Sequence, residues 1–431
     1  MKTVIRVSAV CLTLLTLSLA QIEGTAASRF PANGVLAGIE VDTFVDSEVA
    51  SELINTGGQR LLENVSTDLS KRLSCDDASD IPDSQFLQQI TEDYSADTAT
   101  AVLIHCLANI PRIKLAQQLY LSELEATRIG DATQANYLAA NADEYLVLMV
   151  PGWGYQSNAD ETGADLAKPR AIIAGLGFET HLVEVENNGS VESGAAVLVD
   201  ALQRHFQSGK KIILVSASSG GPTVALALND PAIGNNPLLV GWLNICGVLR
   251  GSPVIDEFLP WPNSWVLRAV AFFEGWNYND LLSLSRYHST SRYQNFAPPR
   301  QITIVNYIGI PFSGQVSDMG SLFYGILKAQ GPNDGLTLVT DALAPGFTIM
   351  AVGIDHFVNN DPDIDLKTAA LLPVLLKLID AATESANPAA VAGQLPWHEK
   401  PAGTCSRQPP NWHRHAIYKH SISCRLSNAR A

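Results

Sequence analysis

The chain has 431 residues, 46% of them hydrophobic and 16% charged, with 43 Asp/Glu against 28 Lys/Arg for a net charge of −15. That apolar fraction excludes a mostly disordered protein, and the length suffices for a large core. The acidic balance disfavours a general nucleic-acid binder, which needs clustered Lys/Arg; the charge is uneven, since from His398 onwards six Lys/Arg stand against one Asp/Glu.

Lys2 and Arg6 precede the uncharged run Val7–Ala20, and Ser18-Leu19-Ala20 or Thr25-Ala26-Ala27 would serve as a cleavage site. Residues 1–27 are therefore expected to be an export signal. The run is shorter than the roughly 20 residues that span a bilayer, and Val10 before Cys11 makes a poor lipoprotein site. No later segment has spanning length without charges, so the mature chain is expected to be exported, secreted or periplasmic, with no transmembrane segment. Export permits disulfides. Once Cys11 leaves, Cys75, Cys106, Cys246, Cys405 and Cys424 remain. Cys246 lies in an apolar run and is expected to be a buried free thiol. The other four allow three pairings, of which the neighbour pairs Cys75–Cys106 and Cys405–Cys424 are preferred.

Residues 28–140 are expected to be a helical segment. Ser47–Ser74 carries Val49, Leu53, Leu61, Leu62, Val65 and Leu69 at helical spacing, and Ile113–Ile129 does likewise behind Pro111, which suits a first turn. His105 beside Cys106 is read as a packed position rather than a metal pair. From residue 144 the pattern changes. Tyr145–Val150, Thr180–Val185, Lys211–Ser216, Leu238–Cys246, Gln301–Ile308 and Phe347–Val352 are short apolar runs of the kind buried on both faces of a sheet. Helical stretches separate them, and Leu366–Thr383 is a last amphipathic helix. The expectation for 141–385 is an α/β domain, a mostly parallel central sheet with helices on both faces, with its site at the carboxyl ends of the strands. Residues 386–431 read as a Pro/Gly-containing linker and a basic, disulfide-closed tail. Its His398, His413, His415 and His420 match no metal-ligand spacing, so no metal is expected.

Lys211–Leu228, KIILVSASSGGPTVALAL, runs strand, tight turn of small residues, helix. A serine on such an elbow is lifted clear of the sheet, and the helix behind it aims free N–H groups at the site. Ser218 is the preferred nucleophile, with Ser219 the rival. The segment departs from G-x-S-x-G, because Ser216 replaces the first Gly. Upstream, Tyr145–Val150 ends in Pro151-Gly152-Trp153-Gly154, a turn that can aim the Trp153 N–H into the site beside that of Ser219, as the two donors of an oxyanion hole. After Phe347–Val352 comes Asp355-His356, which places His356 at the same sheet edge as the base. Asp334, in Asn333-Asp334-Gly335, is the preferred acid; Asp318 is the rival, and Asp341 and Asp355 are weaker. Between Asp256 and Tyr293 lies an aromatic-rich insertion, spanning about 256–297, that fits a cap. Its Trp261, Trp265, Phe272 and Phe273 are candidate substrate contacts, with plain core packing the alternative.

The stretches PGWG, LVSASSGG, LRGSP (Leu249–Pro253) and NDGL together resemble the α/β-hydrolase superfamily, most nearly the secreted bacterial lipases and esterases. The resemblance covers roughly Tyr145–Ala381. It implies the α/β-hydrolase fold, Ser218 as nucleophile, Asp334 as acid, His356 as base, Trp153 and Ser219 at the oxyanion positions, and no cofactor. Ala217 and Pro151 stand where lipases often have His, and Val358-Asn359 stand where many carry a calcium-binding Asp, so calcium is not implied. The expected activity is hydrolysis of a small-molecule or lipid ester. An inactive hydrolase fold used for binding, and an acyltransferase, are the alternatives; the oligomeric state is left open.

Overall fold

The computed structural model describes residues 29–57, 75, 77–260, 263–294 and 296–384. The expected signal at 1–27, the tail after 385 with Cys405 and Cys424, Trp261, and Leu61, Leu62, Val65 and Leu69 lie outside these residues.

The N-terminal segment opens with a β-hairpin, which corrects the expectation of helix throughout 28–140. Strands β1 (Phe30–Leu36) and β2 (Ile39–Val45) pair antiparallel. They turn through Ala37 and Gly38, at φ +56° and +82°. Ala32, Leu36, Val41 and Val45 face inward, the period-2 alternation of a half-buried ribbon. Among the described residues four helices follow: α1 (Glu48–Asn55), α2 (Ser84–Asp93), α3 (Ala96–Asn109) and α4 (Pro111–Ile129). Ser47, Asp83 and Ser95 cap the first three by accepting an N–H from the first turn. A disulfide joins Cys75 to Cys106 on α3, as the neighbour pairing expected. A short α5 (Ala132–Asn141) leads into the sheet.

Six parallel strands then form one sheet: β3 (Tyr145–Val150), β4 (Glu179–Leu182), β5 (Lys211–Ala217), β6 (Leu239–Ile245), β7 (Thr303–Ile310) and β8 (Phe347–Val352), in the order β4-β3-β5-β6-β7-β8. Alternate residues supply two cores. Tyr145, Val147 and Met149 face α4, α6 (Ala167–Gly175) and the long terminal helix Ile364–Glu384. Leu146, Leu148 and Val150 face α7 (Val191–His205) and α8 (Gly220–Leu228). The hairpin and α1 to α3 cover this second face at its far end, against Ile308, Ile310 and Met350 of β7 and β8. A side chain at Gly34 would run into the carbonyl of Ile54, so the small residue lets α1 sit flat on the hairpin.

One buried carboxylate knits the N-terminal segment to the sheet. Asp97, at the start of α3, accepts the backbone N–H of Asp46 (2.7 Å) and of Ser313 beyond β7 (2.8 Å), the Ser313 hydroxyl, and the Tyr324 hydroxyl (3.5 Å). Burial, and then the charge of Asp46, push its carboxyl up to about 6. The folded protein thus holds this proton more tightly than the unfolded chain. The stability it contributes is full below pH ~4 and is lost as pH rises through about 6. Raising the pH from 4 to 7 should therefore destabilise the fold through Asp97. Urea midpoints of the wild type and Asp97→Asn should diverge across that window; parallel pH curves would contradict the argument.

Candidate active site

The elbow is built as its residues require. Between β5 and α8, Ser218 takes φ +51°, a left-handed conformation that is rare outside glycine. Its N–H donates to Ile245 O at 3.0 Å, and its carbonyl accepts from Gly221 and Val248. A Cβ on Gly220 would lie 2.5 Å from Val150 O, so the position two residues on must be glycine. Ser216, two residues back, is under no such constraint. It is fully buried, and its Oγ accepts the indole N–H of Trp242 at 2.8 Å. The departure from the glycine pattern is thus a filled, hydrogen-bonded position. Ser216→Ala should leave a buried N–H unpaired and cost about 1–3 kcal/mol. Equilibrium denaturation reads this; an unchanged midpoint would contradict it.

Three side chains from distant parts of the chain meet at the elbow. Ser218 Oγ lies 2.9 Å from His356 Nε2, and His356 Nδ1 lies 2.8 Å from Asp334 Oδ2. Asp334 and His356 are buried. Ser219, the rival serine, instead opens α8 at φ −63°. Of the rival acids, Asp318 is exposed in the first turn of Asp318–Leu327, and Asp341 pairs with Arg286 at 3.1 Å. The Asp334 loop is closely held. Asp334 Oδ1 accepts the N–H groups of Leu336 (2.9 Å) and Thr337 (2.8 Å), and Asp334 O accepts the His356 N–H at 2.7 Å. The LRGSP stretch turns out to be its buttress. Ser252 Oγ donates to Leu336 O at 2.6 Å, and Thr337 Oγ1 donates to Gly251 O at 2.9 Å. Gly251, at φ +86°, packs where a Cβ would lie 2.6 Å from Ser285 O.

Facing Ser218 is the turn after β3. Gly152 and Gly154 are anchored by N–H bonds to Ala164 O and Asn187 O, both 2.8 Å. Between them the Trp153 N–H has no acceptor among the described residues, and neither has the Ser219 N–H. Beside the serine opens a cavity of about 420 Å³, walled by Trp153, Ala164, Phe323, Phe357 and Leu371. Cys246, φ +45°, also lines it; this free thiol is buried, and burial pushes its pKa far up, so it stays protonated. The 158–169 segment forms a side of the cavity and is tied across it by Asn359 Nδ2 to Asp160 O at 3.3 Å.

The aromatic insertion is placed otherwise than expected. None of Trp265, Phe272 and Phe273 lines the cavity; they are 70%, 80% and 74% exposed. Their helix, Asn263–Glu274, turns Leu267 and Ala271 inward, and at 100° per residue the other three point out. Trp276 of this insertion packs behind the cavity wall, its ring meeting that of Trp153 edge to face at 6.3 Å. Among the described residues no helix is long and apolar enough to cross a membrane.

No family model and no curated protein matches the chain. Solved structures similar to it include a metagenomic carboxyl esterase, at 20% identity over 55% of this chain and 76% of that one, with a TM-score of 0.45. A Bacillus licheniformis lipase in mature form is 21% identical over 55% and 92% of the two chains, with a TM-score of 0.42. A monoacylglycerol lipase from Paleococcus ferrophilus is 14% identical over 54% and 95%, with a TM-score of 0.32. The six-stranded parallel sheet with helices on both faces, and the strained serine between β5 and α8, make this the α/β-hydrolase fold.

Proposed function

We propose that the chain is an exported serine hydrolase of carboxylic esters, acting through an acyl-enzyme. The observation that carries this reading is the continuous hydrogen-bonded line from Ser218 Oγ through both ring nitrogens of His356 to Asp334. In the mechanism, Asp334 holds the proton on Nδ1 and leaves Nε2 free to take the proton of Ser218. Ser218 Oγ then attacks the ester carbonyl. The oxyanion that forms is held by the unpaired N–H groups of Trp153 and Ser219, at the positive end of α8. His356 returns the proton to the departing alcohol. Water, activated by the same imidazole, releases the acid.

The cavity receives the acyl part. At about 420 Å³ it lies toward the small end of ligand pockets, which favours acyl groups of short to medium length, or a single aromatic ring among Trp153, Phe323 and Phe357. Its walls are mostly apolar, so a neutral ester suits it better than a highly anionic one. Export rests on the basic-then-apolar start of the sequence and on the Cys75–Cys106 disulfide, a bond that persists in oxidising compartments.

Aryl esters of graded acyl length, together with a fluorophosphonate probe, test the reading. Turnover should peak at short or medium chains, and peptide mapping should find the label on Ser218. No turnover and no label on Ser218 would leave the fold without this chemistry. An ester product formed with added alcohol would move the reading to acyl transfer.

A further inference from the structure

The groups that hold Asp334 and His356 at their two short distances are not all in the loops that carry them. Asp355, beside the imidazole, is 3% exposed, and its side-chain hydrogen bonds go to Ser317 and Phe357. Its Oδ2 accepts both the N–H (2.8 Å) and the hydroxyl (2.6 Å) of Ser317, and its Oδ1 accepts the Phe357 N–H at 2.9 Å. Ser317 is the N-cap of α9 (Asp318–Leu327), where its Oγ also accepts the Gly320 N–H at 3.2 Å. The first turn of α9 lies against both loops. A Cβ on Gly320 would lie 2.5 Å from Asp355 Oδ2, and a Cβ on Gly335, next to Asp334, would lie 3.4 Å from Gly320 O. The same helix carries Phe323 into the cavity wall.

We propose that Asp355 is a positioning residue: with Ser317 and the first turn of α9 it forms a brace that sets the His356 loop against the Asp334 loop. The inference rests on the hydrolase reading above. A carboxylate suits the place because two donors of one residue converge on a single oxygen, while its second oxygen fixes the peptide just beyond His356. The backbone on both sides of the imidazole is then pinned: ahead of it by Gly353 N–H to Ile310 O (3.0 Å), behind it by Asp355 Oδ1 to Phe357 N–H, and at it by His356 N–H to Asp334 O. Without the Ser317 bonds the loop can drift from Ser218 while the cavity keeps its shape. The loss should therefore fall on kcat and spare KM, since misplacing a reacting group by about 1 Å costs on the order of 100-fold.

The test compares the full chain with Asp355→Ala, Ser317→Ala, Ser317→Thr and the double variant Asp355→Ala/Ser317→Ala, by aryl-ester kinetics and thermal unfolding. Asp355→Ala should lower kcat by about 10- to 100-fold with KM within about twofold. Ser317→Ala should lose part of this, and Ser317→Thr, which keeps the hydroxyl, should recover it. The double variant should be no worse than Asp355→Ala alone, because both changes break one link. If Asp355→Ala does not fold, the Ser317→Ala and Ser317→Thr pair, which differ by one hydroxyl, decides the question. An unchanged kcat in a folded variant, a loss that appears in KM, or effects that multiply would overturn the brace while leaving an active wild type and a labelled Ser218. A wild type that cleaves no ester and takes no label would overturn the hydrolase reading, and the brace with it.

Discussion

With Ser218 replaced by Ala, kcat for a short-chain aryl ester should fall by about 10⁶, to the residual rate that oxyanion donors and substrate binding sustain by themselves. The argument is geometric. Among the described residues, only Ser218 Oγ is hydrogen-bonded to His356 Nε2, at 2.9 Å. Ser219, one residue on, is already turned into the first turn of α8 and cannot take over without rebuilding the elbow. KM should change little, because the substitution removes one oxygen from the lining and leaves Trp153, Ala164, Phe323, Phe357 and Leu371 in place. The variant should fold, since Ala tolerates the φ of +51° as well as Ser does. Steady-state kinetics and fluorophosphonate labelling give independent readouts. Retention of more than about a hundredth of the wild-type rate would sink the assignment of the nucleophile.

Asp334→Asn should lower kcat by about 10⁴ near neutral pH, and the surroundings of the carboxylate say why. Oδ1 accepts two backbone N–H groups, from Leu336 and Thr337. An Asn side chain must keep its carbonyl oxygen there, which puts its NH₂ where Oδ2 now faces His356 Nδ1. The amide then donates to Nδ1 and drives the imidazole proton to Nε2, the nitrogen that has to accept from Ser218. The fold is preserved and the tautomer is wrong. Asp318→Asn, at an exposed position, serves as the control and should leave kcat unchanged. A loss in Asp318→Asn that matched the one in Asp334→Asn would reopen the choice of acid.

The sheet was legible in the sequence because its strands are apolar on both faces, so each appears as an unbroken run such as YLVLMV. The residues of the line from Ser218 to Asp334 were also legible, since each sits within a few residues of a strand end or a turn with its own local pattern. The hairpin was missed although Ile39–Val45 alternates apolar and polar residues as a strand should. Its partner, with Pro31, Asn33 and Gly34, has weak strand propensity, and the helical spacing that follows dominated the reading. The aromatic count between 256 and 297 said nothing of which way each ring points; the inward turn of Leu267 and Ala271 decided that. Neither the cavity nor the LRGSP buttress could be read. Residues 158–169 meet residues 357–371, and Ser252 meets Leu336, only after the chain has folded.

Ser218 follows β5 in a conformation that glycine would take without penalty, and for any other residue such a backbone costs on the order of 1–3 kcal/mol. That is a sizeable fraction of what holds an ordinary domain together. Selection for thermal robustness alone would push this position toward glycine, which has no oxygen to offer. A serine kept there sets a limit on how far the protein can be hardened without silencing it. Gains in robustness have to come from the hairpin, the disulfide-bearing helix and the outer surface, where rigidity and chemistry do not compete.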